Sequence, residues 1–176
     1  MENLEGAVAR ILAGDASAFQ EIVDATSATL VRLSARLMGN LADGEDVMQE
    51  AYLKAYRGLV EGRFDGRAQL GTWLRRIVVN SAIDTLRARA RAPRPSEDAA
   101  DTLADDSASA ETTLALRELS DWLAALPPDQ RAALVLKSIE GHTSAEVAEI
   151  LGCSEGAVEQ RLVRARVTLR ERSGES

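Results

Sequence analysis

The spacing of the apolar residues restricts the fold of this chain more than any other feature of its sequence. They recur every three or four positions over long stretches without proline, whereas strands would need strict alternation. The clearest series is Phe19, Ile22, Val23, Thr26, Leu30, Leu33 and Leu37. We therefore predict an all-α chain. At roughly 100–200 residues per domain, its 176 residues fit one ordinary domain or two small ones.

A segment of different composition interrupts the helical pattern after Ala92. The stretch RAPRPSEDAADTLADDSASAETT is rich in Pro, Ala, Ser, Asp and Glu, and Leu103 is its only large apolar residue. Such a segment buries too little surface to offset the entropy that is lost on ordering. We predict a flexible acidic linker over 93–113 that joins two small helical domains, 1–92 and 114–176.

The formal net charge of −7 is distributed unevenly along the chain. Arg63 to Pro95 contains eight arginines and two aspartates, and Arg161 to Arg172 contains five arginines and one glutamate. The stretch 96–113 holds six acidic residues and no basic one. Two basic blocks beside an acidic segment indicate two contacts with a polyanion, although solvated helix faces would carry the same charges.

Cysteine and histidine usage excludes several classes of protein. Cys153 and His142 are single residues of their types, so an internal disulfide is excluded and a Cys/His metal cage is implausible. No apolar run approaches the roughly 18–20 residues that cross a bilayer. The N-terminal stretch MENLEGAVAR lacks the basic start and long apolar core of a signal peptide. We expect a cytoplasmic protein without direct membrane insertion.

Four helices are predicted in the N-terminal domain. The first carries Leu4, Val8, Ile11 and Leu12, and the second ends near Met38, before the C-cap signal Gly39-Asn40. The pattern leaves open a break in the second helix near 26–29. The third helix covers about 42–59. After the loop EGRFDGRAQLG, Thr72 is expected to N-cap a fourth helix that runs to about Ala90.

Four helices are predicted in the C-terminal domain as well. The first, with Leu116, Leu119, Leu123 and Leu126, ends at Pro127-Pro128, and the second, with Ala132, Val135, Leu136 and Ile139, stops at Gly141. Thr143 and Glu146 have the spacing of a capping box that opens the third. Gly152 and Ser154 mark a sharp turn and the N-cap of the fourth. The stretch EGHTSAEVAEILGCSEGAVEQRLVRAR is therefore typical of a helix-turn-helix.

The last helix has an apolar and a polar side. Val158, Leu162, Ala165 and Leu169 fall on one side and are predicted to pack inward. The other side carries Gly156, Glu159, Gln160, Val163 and Arg164, flanked by Arg161, Arg166 and Arg170. An exposed valine suits a thymine methyl group, while amide and guanidinium groups can hydrogen-bond base edges or phosphates.

The third and fourth helices of the N-terminal domain carry two further candidate surfaces. On the third, Asp46, Gln49, Glu50, Leu53 and Arg57 lie opposite an inward face of Met48, Ala51, Tyr52, Ala55 and Leu59. An exposed leucine ringed by acids and an amide is typical of a protein interface, although an ordinary solvated face fits too. On the fourth, Arg76, Asn80, Ile83 and Arg87 form a stripe that suits DNA. Trp73 is either a core anchor or a platform for an unstacked base.

Three stretches together resemble a known family. DGEDVMQEAYLKAYRGL, FDGRAQLGTWLRRIVVNSAIDTLR and LPPDQRAALVLKSIEGHTSAEVAEILGCSEGAVEQRLVRAR are similar, in this order, to bacterial RNA polymerase sigma factors. The resemblance is to the sigma-70 family, in its small two-domain extracytoplasmic function (ECF) group. It covers nearly the whole chain outside the linker and the extreme termini.

The resemblance implies a role for each candidate surface. The third helix matches the segment that docks on core RNA polymerase, which assigns Asp46, Gln49, Glu50 and Leu53 to that contact. The loop and fourth helix match the part that opens the −10 promoter element and holds a flipped base. The residues assigned there are Phe64, Arg67, Trp73, Arg76, Asn80 and Arg87. The last helix matches the segment that recognises the −35 element, through Ser154, Glu159, Gln160, Arg161, Val163 and Arg164.

Two positions depart from the wider family pattern. Housekeeping members melt promoters with several aromatic residues, whereas only Phe64 and Trp73 are near the corresponding site here, as in the ECF group. Many relatives also carry a basic residue where this chain has Glu159. A carboxylate can accept a hydrogen bond from cytosine N4, so Glu159 either specifies a base or points away from DNA.

The resemblance therefore implies a dissociable promoter-specificity subunit that partners core RNA polymerase, promoter DNA and an anti-sigma factor. It implies no catalytic residues, cofactor or metal, because nucleotide chemistry belongs to the polymerase. A free-standing helix-turn-helix regulator and a core-binding adaptor without promoter recognition remain alternatives. A hydrolase built on Asp46, Glu50 and their neighbours is disfavoured, because these acids lie on an open helix face without a paired base or metal ligands.

Overall fold

The computed structural model describes residues 3–91 and 118–174, and these ranges are helical without strands. Four helices form the N-terminal part: α1 Asn3–Leu12, α2 Phe19–Met38, α3 Leu41–Val60 and α4 Leu70–Arg91, with a 3-10 turn at Ala16–Ala18. Residues 118–124 form the described part of α5. The remaining helices are α6 Pro128–Leu134, α7 Ser144–Leu151 and α8 Glu155–Ser173. The predicted all-α fold is confirmed. The predicted linker, 93–113, lies outside the described residues.

Helix α2 runs without the break that the sequence left open near 26–29. The Thr26 hydroxyl bonds to the Ile22 carbonyl at 2.6 Å and lies 2.9 Å from the Tyr52 hydroxyl of α3. A threonine that satisfies its hydroxyl one turn back along the helix does not compete with the helical backbone bonds. Its second contact joins α2 to α3, so the polar residue in the middle of the helix aligns two helices.

Two consecutive residues form the turn between α2 and α3, and each caps one of the helices. Gly39 takes a left-handed conformation, with φ of 91°, and ends α2. Asn40, predicted as part of that C-cap, is instead the N-cap of α3, and its side chain accepts from the Asp43 amide at 2.8 Å. The two helices therefore follow each other with a very short connection and pack side by side.

Helices α2 and α3 approach most closely at Gly44. A Cβ atom placed there would lie 2.6 Å from the Cα and N atoms of Ala35. The Gly44 carbonyl accepts from the buried Ser34 hydroxyl at 2.9 Å. Around this contact the core of the N-terminal part is closed by side chains from all four helices. Its largest fully buried members are Ile22, Leu33, Leu37, Leu59, Leu74, Val78 and Val79.

The expected N-cap of α4 is wrong. The helix begins at Leu70, two residues before Thr72, and the Trp73 amide already donates to the Gln69 carbonyl at 3.0 Å. Leu70 is only 8% exposed, so its burial draws the preceding residues into the first turn. The sequence pattern predicted a start at Thr72 because threonine is a favoured N-cap residue. It does not show that Leu70, two positions earlier, is buried in the folded chain.

The C-terminal part has the predicted caps and one unpredicted feature. Thr143 and Glu146 form a reciprocal capping box, Gly152 is left-handed with φ of 62°, and the Ser154 side chain accepts from the Ala157 amide. Between α6 and Gly141, residues Val135–Ile139 form a π-helical turn, where an ordinary α-helix was expected. Val158, Leu162 and Ala165 are buried as predicted, and they pack α8 on the same core as Leu136, Val147 and Ile150.

The two parts of the chain pack against each other through α4, which contacts α6 and α7. The C-terminal end of α2 receives two side-chain bonds across this boundary. Arg131 Nη1 donates to the Leu37 carbonyl at 2.9 Å, and the Ser120 hydroxyl donates to the Gly39 carbonyl at 2.9 Å. Carbonyl groups at a helix end lack intrahelical partners, so these bonds satisfy them.

Candidate functional site

The outer face of α3 consists of Asp46, Gln49, Glu50 and Leu53, and all four are exposed. Leu53 is 59% exposed, the highest value among the large apolar side chains of the described residues. Met48, Ala51, Ala55 and Leu59 are buried on the opposite side, as the sequence predicted. The outer face of α3 therefore has an apolar centre, Leu53, that is surrounded by acidic and amide side chains.

Two sets of contacts hold α3 in place. Tyr52 and Tyr56 pack edge-on against Phe19, with ring centroids 6.0 and 5.3 Å apart. At the start of the helix, Nη1 and Nη2 of Arg89 both donate to the Asp43 carboxylate, each at 2.5 Å. The Arg89 bonds hold the pKa of Asp43 below its ordinary value, and the same pair raises the pKa of Arg89. The outer face of α3 is thereby fixed relative to α4.

An aromatic groove lies between α3 and α4. The rings of Phe64 and Trp73 are 5.2 Å apart at 55°, and the Trp73 ring covers Gly58 so closely that a Cβ there would be 3.0 Å away. The groove has a volume of about 390 Å³. It is lined by Lys54, Gly58, Arg63, Trp73, Ile77, Asn80, Ser81 and Asp84. A ring that is partly exposed beside an amide and two cations can stack an unpaired base whose phosphates lie near the cations.

The sequence interpretation did not include Lys54 and Arg63 among the groove residues. Lys54 Nζ donates to the Ser81 hydroxyl at 3.0 Å and pairs with Glu50 at 2.7 Å. It therefore connects the groove to the outer face of α3. The Glu50–Lys54 spacing of four residues was visible in the sequence, but only the packing of α3 on α4 places the lysine in the groove.

The six residues predicted for the −10 element do not form one surface. Phe64, Trp73 and Asn80 line or border the groove, and Arg67 is fully open on the preceding loop, with 91% of its side chain exposed. Arg76 and Arg87 face the C-terminal part instead. Arg76 Nη2 donates to the Glu149 carbonyl at 2.7 Å, and Arg87 Nη2 pairs with Asp129 at 2.7 Å. The predicted stripe is wrong at Ile83, which is buried.

The outward side of α8 is open in the structure. Glu159, Gln160, Val163 and Arg164 are exposed, with Val163 at 55%, and Ser154 caps the helix beneath them. Glu159 Oε1 accepts from the Ser144 hydroxyl at 2.6 Å, so the carboxylate joins the starts of α7 and α8. Glu159 remains exposed although it makes this bond.

Arg161 lies apart from the other candidates on α8. Its side chain is 27% exposed, its Nη1 donates to the Cys153 sulfur at 3.3 Å, and its Nη2 lies 3.7 Å from Asp129. Asp129 therefore faces arginines from both α4 and α8. The sequence does not indicate this arrangement, because Arg87, Asp129 and Arg161 are distant along the chain.

Two other kinds of site are absent from residues 3–91 and 118–174. No group of three or more His, Cys, Asp or Glu residues there could hold a metal ion. In the same ranges, no helix is long and apolar enough to cross a membrane. The candidate sites described above lie on helices α3, α4 and α8.

The structure thus combines a helical N-terminal part that exposes an acidic-apolar face with a C-terminal part that contains a capped helix-turn-helix. Two family models match these parts: sigma-70 region 2 over residues 7–92 and sigma-70 region 4 over 116–169. The chain is 38% identical over 159 residues to the ECF RNA polymerase sigma factor SigM of Mycobacterium tuberculosis, covering 90% of this chain and 78% of SigM. It is 35% identical to the RNA polymerase sigma-H factor of Pseudomonas aeruginosa, covering 90% and 88%.

Solved structures give the same result. CnrH, determined in complex with the cytosolic domain of CnrY, has a TM-score of 0.66 and 26% identity, with 97% of each chain covered. The sigma factor RpoE of Bartonella quintana, solved with the anti-sigma factor NepR, has the same fold, with a TM-score of 0.64 at 24% identity over 87% of this chain and 94% of RpoE. The chain belongs to the sigma-70 family, in its ECF group. It is a sigma factor, which binds core RNA polymerase and directs promoter-specific transcription initiation.

Proposed function

We propose that the chain divides this work between its two parts, with polymerase and −10 contacts in 1–92 and −35 contacts in 114–176. The observation that carries the proposal is the outer face of α3. It exposes Leu53 among Asp46, Gln49 and Glu50 on a helix whose other side carries the buried Met48, Ala51, Ala55 and Leu59. An apolar centre with a polar rim is the usual anatomy of a protein-binding hot spot. Core polymerase is the partner that this face suits.

The aromatic groove is the proposed site for the −10 element. Melting a promoter leaves an unpaired base, which costs a few kcal/mol of lost stacking and pairing. Trp73, supported by Phe64 and Gly58, offers a ring on which that base can stack. Asn80 can hydrogen-bond its edge, and Lys54 and Arg63 can hold the adjacent phosphates. Arg67, Arg76 and Arg87 would contact the backbone on either side.

The outward side of α8 is the proposed reader of the −35 element. A helix whose N-terminus is capped by Ser154 can enter the major groove with Glu159, Gln160, Val163 and Arg164 toward base edges. Arg161 would contact a phosphate at the flank after leaving Asp129.

The relatives also support a protein inhibitor as a further partner. CnrH was solved with the cytosolic domain of CnrY, and Bartonella RpoE with the anti-sigma factor NepR. We propose that this chain has an anti-sigma partner of its own and acts in the cytoplasm, where the polymerase acts. It needs no cofactor and performs no chemistry itself.

Run-off transcription with purified core polymerase and a promoter library tests the proposal. The chain should yield transcripts that core alone does not. A helix-turn-helix regulator would instead bind duplex DNA tightly without core, and an adaptor would bind core without any new transcript. Either result would contradict the proposal.

A matched pair of leucine variants tests the outer face of α3. Leu53 and Leu12 are 59% and 58% exposed, on α3 and α1 respectively. Leu53→Ala should weaken core binding by about tenfold or more, as expected for a hot-spot side chain. Leu12→Ala removes the same apolar area elsewhere and should leave core affinity unchanged. Equal effects of the two variants would remove α3 from the interface.

A further inference from the structure

A cleft lies at the boundary between the N-terminal helices and α7, and the proposed function does not use it. It has a volume of about 650 Å³ and is lined by residues of α1, α2, α4 and α7. Its apolar wall consists of Leu4, Ala25, Leu30, Leu74 and Ile150. Sites for small molecules usually have this size and are mostly apolar, with a few polar groups that orient the ligand. None of the residues that line the cleft belongs to the outer face of α3, the aromatic groove or the outward side of α8.

The two acids in the cleft wall already have partners. Glu21 pairs with Arg10 of α1 at 2.6 Å. Glu146 accepts from the amide and from the hydroxyl of Thr143, each at 2.8 Å, and these bonds hold the pKa of Glu146 below its ordinary value. Neither carboxylate therefore needs a cation from a ligand.

Arg75 of α4 is a cation of the cleft wall, and no close acid neutralises its charge. Its side chain is partly buried and forms no hydrogen bond or ion pair within the described part of the chain. Among the groups that lower the pKa of Glu146, Arg75 contributes least, after Thr143 and His142, so the two side chains attract each other only at a distance. A Cβ atom at Gly71 would lie 3.4 Å from Arg75 Nη1, so the glycine leaves this side of the guanidinium uncovered. The guanidinium is thus available to a ligand in the cleft.

His142 adds a second polar group beside the start of α7. Its side chain is 18% exposed, and its Nδ1 lies 3.8 Å from Oε2 of Glu146. Its backbone amide donates to the Leu136 carbonyl at 3.1 Å and fixes the residue at the cleft wall. From there the imidazole can donate a hydrogen bond to a ligand oxygen.

These features together favour a ligand with one carboxylate and an apolar body. A guanidinium binds a carboxylate through two parallel hydrogen bonds, and the pair is stronger where it is partly shielded from water. A phosphate ester would bring a second negative charge into a wall that already holds Glu21 and Glu146, so it is disfavoured. A ligand that is apolar throughout would cover Arg75 and leave its charge without a partner.

We propose that the cleft binds a small amphipathic carboxylate, with its anionic group on Arg75 and its apolar body against Leu30, Leu74 and Ile150. The site is separate from the proposed contacts with polymerase and promoter DNA and does not depend on them. A ligand that binds only the folded chain stabilises it by mass action, so the melting temperature should rise with ligand concentration.

Octanoate and 1-octanol are a matched pair of probes, because they share an apolar chain and differ in the charged group. Titrations of the full chain, followed by two-dimensional NMR, measure both affinities. The ratio of octanoate affinity to octanol affinity should fall by about fivefold or more in Arg75→Gln, as expected for the loss of a charge-assisted hydrogen bond. Arg32→Gln is the control, since Arg32 is exposed on α2 and does not line the cleft. Its ratio should equal that of the wild type.

A second pair of variants tests whether the probes bind in the cleft. Ala25 and Ala28 are both exposed on α2, but Ala28 does not line the cleft. Ala25→Phe should abolish binding of both probes, because the ring fills the space of the apolar body, whereas Ala28→Phe should bind them as the wild type does. In the wild type, octanoate should shift the amide signals of Thr29, Gly71 and Ile150 and leave those of the outer face of α3 unchanged.

Three results would overturn the proposal. The first is no shift of these signals at about 10 mM octanoate, where even a weak ligand of this size should bind. The second is an equal ratio for the wild type and Arg75→Gln, since the cleft would then suit an apolar protein side chain rather than an anion. The third is undiminished binding in Ala25→Phe, which would place the probes elsewhere. Run-off transcription, which tests the proposed function, uses neither probe, so the two proposals can fail separately.

Discussion

Glu159 carries two possible roles on one carboxylate. The sequence left open whether it reads a base or points away from DNA. In the structure Oε1 accepts from the Ser144 hydroxyl at 2.6 Å, while the residue remains exposed on the outward side of α8. The bond to Ser144 and the reading of a base are compatible, because a carboxylate accepts several hydrogen bonds. The Ser144 bond fixes the side chain, and a fixed acceptor discriminates between bases better than a mobile one.

We expect Glu159→Ala to change base preference at one position of the −35 element. A carboxylate that accepts from cytosine N4 contributes about 1–3 kcal/mol of discrimination, which corresponds to a loss of preference of roughly fivefold to 150-fold. Holoenzyme binding to promoters that carry each single −35 substitution measures this.

Ser144→Ala is the matched control for that experiment. It removes the same hydrogen bond but keeps the carboxylate, so the preferred base should stay the same with weaker discrimination. If Glu159→Ala leaves promoter choice unchanged, Glu159 joins α7 to α8 and reads no base.

At the scale of helices, the close approach of α2 and α3 at Gly44 positions the polymerase-facing surface. A Cβ at Gly44 would lie 2.6 Å from backbone atoms of Ala35, and backbone cannot move aside as a flexible side chain can. The spacing of α2 and α3 is therefore set by the absence of a side chain.

Gly44→Ala should destabilise the fold even though alanine is the better helix former. Intrinsic propensity favours alanine by about 1 kcal/mol, but the contact with Ala35 would force the helices apart and cost more than that. Gly6→Ala in α1 is the control, since a Cβ there meets nothing within 4 Å. Urea denaturation should give a lower midpoint for Gly44→Ala and an equal or higher one for Gly6→Ala.

The Asp43–Arg89 pair predicts an acid-sensitive joint between α3 and α4. Because the Arg89 bonds hold the pKa of Asp43 below its ordinary value of 3.8, the folded chain binds fewer protons here than the unfolded chain. The stabilisation is therefore present above pH 4 and is lost as the pH falls through the lowered pKa. Asp43→Asn should reduce stability at pH 7 by about 1 kcal/mol or less and flatten its dependence on pH below 4.

Glu45→Gln is the control for the acid dependence, because Glu45 is an exposed acid on the same helix. Thermal melts of the wild type and the two variants between pH 7 and pH 3 give the comparison. A wild type and an Asp43→Asn variant with parallel pH profiles would show that the pair contributes nothing to stability.

Features that depend on neighbours along the chain could be predicted from the sequence. The capping box at Thr143 and Glu146, the Ser154 cap and the inward residues of α3 and α8 all follow from local spacing, and the structure confirms them. The predicted start of α4 was wrong because the burial of Leu70 outweighs a favourable N-cap at Thr72. Lys54 in the groove and Asp129 between two arginines could not be predicted, because contacts between distant helices leave no periodic trace.

At the scale of the whole molecule, acidic and arginine-rich stretches alternate along the sequence. The chain carries a net charge of −7, and six of its acids lie within 96–113, between two arginine-rich blocks. A negative chain is repelled by DNA as a whole, while its arginines still bind phosphate at short range. The free protein should therefore bind DNA weakly until core polymerase supplies further contacts.

Replacing those six acids with their amides should strengthen DNA binding by the free chain. The formal charge changes from −7 to −1, so duplex affinity at low salt should rise several-fold, and the gain should disappear at high salt, where charges are screened. Alanine at Ser96, Ser107 and Ser109 alters the same segment without changing charge and is the control. Fluorescence anisotropy with a labelled duplex measures both, and equal affinities would show that the segment has no electrostatic effect on DNA binding.

The π-helical turn Val135–Ile139 has a consequence for insertions and deletions. Each residue of an α-helix turns the chain by about 100° and advances it by about 1.5 Å. A π-helical turn takes about one residue more than an α-helical turn to complete the same rotation, so the extra residue is absorbed within 135–139. Deleting one residue there should return the stretch to an ordinary helix and leave the directions of α7 and α8 nearly unchanged, whereas deleting one residue from the regular part of α8 would rotate everything that follows by about 100°.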